Sequence, residues 1–188
     1  MIEIKIDTKE AERIADMLTS IPDGMEKATA SAINRALSMT KTAASRKVRE
    51  RYNVKAKYVK DSISIRRAGK SNLIGTMISR GTPIRLINFK VNPSRPNPKR
   101  RKPITVSVKK SGGGALKGAF VAEMSNESVG VFERVGLSRL PIQQLYGPSA
   151  PQMIGEDTII SELEEEASEI VIERLSHEAV RLLGRYKK

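Results

Sequence analysis

At 188 residues the chain is long enough to bury a real core, and one domain spanning 1–188 is the expectation. It has no Cys and a single His, His177, which excludes disulfides, thiolate metal sites, cysteine nucleophiles and multi-histidine metal centres. The formal charge of +13 is uneven: Glu26–Gly118 holds 24 Lys and Arg against three acids, while the two ends hold the other 10 cations and 18 acids. A basic middle between acidic ends points to a polyanion, or to a neighbouring copy's acidic surface, as partner.

Ile2, Ile4 and Ile6 alternate with Glu3, Lys5 and Asp7, which predicts a short half-buried strand. A helix over Lys9–Leu18 follows, and Ile21-Pro22-Asp23-Gly24 breaks it. Acids at this end oppose a signal peptide, and no stretch approaches the roughly 20 apolar residues a membrane span needs. The expectation is a chain made in the cytoplasm without export.

A long helix is predicted over Met25–Arg51. Ile33, Leu37, Ala44 and Val48 recur at helical intervals, and five further alanines raise its propensity. Its other face carries Lys27, Arg35, Lys41, Arg46, Lys47, Arg49 and Arg51, either as a solvated face or as a surface for a partner. Tyr52-Asn53-Val54 ends it, and Lys55–Ile63 predicts a further turn or two of helix.

From there the period changes to that of strands. Ser62–Arg66, Leu73–Ser79, Pro83–Phe89, Ile104–Val108, Phe120–Met124 and Val129–Glu133 predict an antiparallel meander. Two segments interrupt it. Val91–Pro103 has four prolines and five cations, Arg95, Lys99, Arg100, Arg101 and Lys102, so it predicts an exposed mobile loop and no central strand. Lys109–Lys117 predicts a flexible glycine turn.

A turn-rich stretch follows Arg134, and a helix over Glu156–Leu183 closes the chain. Ile160, Leu163, Ala167, Ile170, Val171 and Leu182 form its apolar stripe, opposite Glu164, Glu165, Glu166 and Glu169. The fold class is therefore α+β, an antiparallel sheet packed by a long N-terminal and a long C-terminal helix. Ile33, Leu37, Val48, Leu163, Ile170 and Val171 are the expected core.

No catalytic set emerges. The glutamates of the last helix lie opposite an apolar stripe, as a solvated or intersubunit face would, rather than in a pocket. Ser111–Gly114 is glycine-rich but has no hydroxyl after Lys117 to make a phosphate loop. No catalytic, cofactor or metal residue is assigned. The cations of Val91–Pro103 are candidates for duplex phosphate, for a protein partner or for solvent alone, since no aromatic interleaves with them for base stacking. Leu140–Pro151 is a candidate assembly interface, with Pro141, Leu145, Tyr146 and Pro148 as its contacts, because a segment stiffened by proline loses little entropy on docking. The other reading of these residues is that they seal the base of the last helix.

Several of these segments share a further property. Gly130-Val131-Phe132-Glu133-Arg134, then Leu140-Pro141-Ile142 and Leu145-Tyr146-Gly147-Pro148-Ser149, resemble the signature of the minor tail protein Z family of lambda-like bacteriophages. Ala32-Ile33-Asn34-Arg35-Ala36-Leu37 and Arg49-Glu50-Arg51-Tyr52-Asn53-Val54-Lys55 are similar to that family's N-terminal helix. The resemblance implies a structural virion protein that completes the phage tail, with tail terminator and tube proteins as partners. It further implies a tail-completion or terminator-like α+β fold that assembles as a ring, and no catalytic residues. The remaining alternative is a basic accessory protein that binds double-stranded DNA.

Overall fold

Alanine spacing organises the longest element of the N-terminal half. In the structure, a computed structural model that describes residues 16, 18, 21–124 and 127–186, helix α1 spans Gly24–Arg51. Ala28, Ala32, Ala36, Thr40, Ala44 and Val48 are all buried, one every four residues. Such a row is one of the ridges through which helices pack, and alanine keeps it thin enough for close approach. The expected strand at Ile2–Ile6 and most of the helix at Lys9–Leu18 lie outside the described residues.

The remaining elements are α2 (Ala56–Ser62), β1 (Ile63–Arg66), β2 (Thr76–Ser79), β3 (Lys90–Asn92), β4 (Ile104–Ser107) and β5 (Gly114–Leu116). They are followed by β6 (Ala119–Glu123), β7 (Val129–Arg134), β8 (Ile142–Gln144), α3 (Ala150–Ile154) and α4 (Asp157–Tyr186). The class is α+β, as expected, with a long helix toward each end and antiparallel strands between. The strands do not form one meander: they make a β1–β2 hairpin and two three-stranded sheets, β3-β4-β5 and β6-β7-β8.

By its internal contacts the chain divides into two compact units. The first comprises Met1–Ala44, Ile63–Ser79 and Gly155–Lys188. Here α4 buries Ile159, Leu163, Ala167, Val171, Leu175 and Ala179. A row of every fourth residue drifts by about 40° per step round a helix of 3.6 residues per turn, so the buried side winds along α4. That drift leaves Ile160, Ile170 and Leu182 of the predicted stripe half-buried at its margin, and Ile33 of α1 is half-buried too. Leu37, Val48, Leu163 and Val171 are core, as predicted. Leu18, Ile21, Ala28, Ala32, Leu175 and Ala179 form one apolar cluster, flanked by Met25, Leu182 and Leu183. Asn34 fixes the loop of the β1–β2 hairpin: its Nδ2 donates to Ala68 O at 2.9 Å and its Oδ1 accepts from Ala68 N at 2.8 Å. Gly75 passes so close to α1 that a Cβ there would lie 2.6 Å from both Ile33 and Leu37.

The second unit comprises Ser45–Ser62 and Arg80–Ile154. Asn53 ties the segment after α1 to β4, donating from its amide nitrogen to Val108 O at 2.8 Å and from Nδ2 to Ser107 Oγ at 2.9 Å. β3 is an edge strand, so Asn92-Pro93 (a cis bond) stands where a missing amide proton costs no ladder bond. Three local expectations change here. Pro83–Phe89 starts with the alternation of a strand, burying Ile84 and Leu86, but Leu86–Asn88 tightens into a 3₁₀ turn that buries Phe89 instead. Gly114–Leu116, taken as glycine turn, is strand β5, because β4 supplies a partner edge. The turn-rich stretch after Arg134 contains β8 and α3. Ser149 opens α3 with a capping box, its Oγ accepting from Gln152 N at 3.4 Å while Gln152 Oε1 accepts from Ser149 N at 2.8 Å.

Candidate assembly surface

The predicted basic loop is the connection between β3 and β4. Asn92 pairs with Thr105 and Val91 with Val106, so the ends of the loop are pinned by the sheet and its cations project beyond it. Arg95, Lys99, Arg101 and Lys102 are exposed. Arg100 is half-buried and turned inward, its guanidinium donating to Lys102 O at 3.1 Å and Pro103 O at 3.0 Å. One of the five predicted contact cations therefore braces the loop, and four face solvent.

The second predicted surface runs on from β8. Leu145 N donates to Val131 O at 2.8 Å, Leu86 N to Leu145 O at 3.0 Å and Gly147 N to Ile84 O at 2.8 Å. The backbone of 145–147 is thus held on both sides, between β7 and the segment 84–86. Gly147 packs against Phe89, where a Cβ would meet the ring at 2.6 Å. Leu145 and Pro148 are half-buried, Pro141 is exposed, and Tyr146 is 53% exposed with its hydroxyl donating to Gln144 Oε1 at 3.2 Å. Of the four, Pro141 and Tyr146 are accessible for docking.

The neighbouring loop between β7 and β8 carries three exposed apolar side chains, of which the predicted segment Leu140–Pro151 takes in Leu140 and leaves out Val135 and Leu137. Arg134 pairs with Ile142, and the seven residues between them form the tip. Val135 N donates to Pro141 O at 3.1 Å, which closes the base of that tip. Beyond it Val135 is 62% exposed, Leu140 67% and Leu137 fully exposed. The signal lay in Val135, Leu137 and Leu140 set among Gly136, Ser138 and Arg139, where a turn needs no large apolar side chain. Exposed apolar clusters of this kind mark contact surfaces.

Charge separates along the same division. The second unit has 20 Lys and Arg against five acids, a balance of +15, and the first has the other 14 cations and 16 acids, a balance of −2. Within the second unit a cleft of about 380 Å³ is lined by Tyr58, Asp61, Arg80, Arg85 and Asn88 among others. Its Ser62 hydroxyl donates to Val59 O at 2.7 Å. Among the described residues no group of three or more His, Asp or Glu could hold a metal ion, and no helix is long and apolar enough to cross a membrane.

The family model for prophage minor tail protein Z matches residues 8–186. Neither the curated proteins nor the solved structures contain a match to the chain.

Proposed function

The chain belongs to the prophage minor tail protein Z family, and from that premise we propose that it is a non-enzymatic structural component needed to complete the phage tail. As a member of that family it is a phage minor tail protein, which implies the virion tail as its location and other tail proteins as its partners. The finer reading is that several copies assemble as a ring at the tail, against the terminator or tube proteins. The observation that carries it is the uneven charge of one polypeptide, a balance of +15 over the second unit against seven acids and no cation from Glu156 to Glu169 of the first. Opposite patches on identical chains favour heterologous, head-to-tail contacts, and such contacts close into rings when the rotation allows. Deleting the gene from an inducible prophage should leave head and tail proteins made but lower the yield of infectious particles, with incomplete tails in electron micrographs. Complete, infectious tails from the deletion strain would remove this reading.

The exposed Arg95, Lys99, Arg101 and Lys102 favour a second reading, contact with double-stranded DNA. Phosphate contact releases counterions, so affinity would fall with salt, and each cation lost would flatten the logarithmic salt slope by about one. A mobile loop 93–103 that orders on its partner fits this reading and a protein partner equally, and fast amide exchange there in the free chain would support it.

A further inference from the structure

The β3-β4-β5 sheet has two faces of opposite kind. Cross-strand partners project to the same side and successive residues to alternate sides. Val91, Ile104 and Val106 therefore share the packed face, while Lys90, Asn92, Thr105, Ser107 and Ala115 share the outer one. Lys90, Asn92, Thr105 and Ala115 are all exposed. At one end of the outer face stand Arg95, Lys99, Arg101 and Lys102 of the β3–β4 loop, with Lys117 just beyond the Ile104–Leu116 pair. At the other end stand Lys90 and the β4–β5 turn with Lys109 and Lys110. From Lys90 to Lys117 the chain holds nine Lys and Arg and no acid.

The turn at the second end is held in place before any partner arrives. Lys110 N donates to Arg51 O at 2.7 Å, Asn53 Nδ2 donates to Ser107 Oγ at 2.9 Å, and the Lys109 ammonium stands 5.4 Å from the centre of the buried Tyr52 ring. Glu50, the acid of the adjoining helix end, is engaged by Arg46 at 3.9 Å. We propose that this outer face is a docking surface for double-stranded DNA, held through phosphate at both of its ends. The proposal rests on the reading in which the basic loop contacts DNA, and adds to that loop a second row of contacts, Lys90, Lys109 and Lys110, across the sheet.

Spacing and chemistry both select this partner. A strand rises about 3.3 Å per residue, so the six steps from Pro103 to Lys109 cover roughly 20 Å. The two cationic ends can thus meet the two phosphate strands that border a major groove about 12 Å wide. Between them Asn92, Thr105 and Ala115 are small, so a duplex can come close, and the first two offer hydrogen bonds to phosphate or sugar. An acidic protein surface fits less well. Protein interfaces are depleted in Lys and centred on aromatic side chains, whereas Lys90–Lys117 holds six lysines and no aromatic. The same lack of a stacking ring favours a duplex over a single strand.

The test is binding of a short random-sequence duplex to the full chain over a range of salt. Each phosphate contact contributes about 0.9 to the logarithmic salt slope, so Lys109→Gln with Lys110→Gln should flatten it by roughly two. The same pair should lower affinity at least tenfold, and Lys109→Arg with Lys110→Arg should restore both values. Thr105→Glu leaves every cation in place, yet should also lower affinity tenfold by setting a carboxylate in the middle of the face; Thr105→Gln should not. All these variants should melt close to the parent, since the three positions are exposed. An unchanged slope in the glutamine pair, or full binding by Thr105→Glu, overturns the proposal. The DNA reading survives that result if neutralising Arg95, Lys99, Arg101 and Lys102 still abolishes binding. A parent chain that binds no duplex even at low salt removes the DNA reading and this proposal together. Tighter binding of a single strand overturns the duplex assignment, and a glutamine pair that keeps duplex binding but loses tail assembly assigns the face to a protein.

Discussion

The two units hold themselves together in different ways. The first, with residues 24–44 of α1, the β1–β2 hairpin and α4, buries rows spaced four residues apart and fixes its hairpin loop through one part-buried amide, Asn34. The second is built mainly from short strands, places its specific contacts in the backbone of 145–147 and in Asn53, and leaves Val135, Leu137 and Leu140 in water. Net charge follows the same split. Both units have a buried core, the second one including Val59, Phe89, Val131, Phe132 and Met153; they differ in what they leave exposed, and presentation to partners is concentrated where charge is high. Removing a buried apolar side chain should thus cost stability in either unit, and removing an exposed one in the second should cost assembly.

The sharpest way to break that contrast is Leu163→Ala. Leu163 is fully buried in the α4 row, so truncation should cost about 2–5 kcal/mol through lost burial and a residual cavity. Denaturant melts would show it. A loss below about 0.5 kcal/mol, the size of an ordinary surface change, would mean that the row does not face a packed core.

Asn34→Ala should come next, at about 1–3 kcal/mol, because the part-buried amide and carbonyl of Ala68 both lose their partner. Hydrogen exchange should rise most around Ala68. If it rises evenly over the whole chain, the clamp is not local.

In the second unit Tyr146→Ala should change stability by less than about 1 kcal/mol, as its ring is half in water and its hydroxyl donates to the side chain of Gln144 two residues away. Infectious yield should nevertheless fall, because a half-exposed Tyr on a rigid backbone is suited to anchoring an interface. A monomer that melts many degrees lower would instead place Tyr146 among the packing residues that seal the base of the last helix.

The smallest expected effect has the opposite sign. The Thr40 hydroxyl is buried in the α1 row and has no hydrogen-bond partner among the described residues. Thr40→Val keeps the shape and removes the orphan, so it should be neutral or stabilising by up to about 1 kcal/mol. Destabilisation by more than that would show that the hydroxyl is satisfied.

The segments that carry the family resemblance turn out to be joints of the fold. In Ala32–Leu37, two alanines and Leu37 are core and Asn34 clamps the hairpin loop; in Arg49–Lys55, Asn53 ties to β4. A Cβ on Gly130 would strike Gln144 and Phe132 at 2.8 Å, Gly147 admits Phe89, and Ser149 caps α3. None of these roles is chemical, which agrees with a structural family. Among the candidate contacts, the exposure of Arg95, Lys99, Arg101 and Lys102 was legible, because prolines and like charges oppose packing. The inward turn of Arg100 was not, since it depends on where two carbonyls of the same loop point.

By itself the sequence determined both long helices, the α+β class, the basic middle and the exposed loop. These follow from local periodicity and composition, which act over a few residues at a time. Only the tertiary structure decided that the strands split into three sheets and that Gly114–Leu116 and Ile142–Gln144 become strands. Strand pairing is a contact between distant segments, and a glycine- or proline-rich run becomes a strand only when a neighbouring edge is free to bond it. The same physics hid the tip of β7–β8: an apolar residue in a turn looks the same in sequence whether the fold covers it or leaves it in water, and burial is settled by what packs above it.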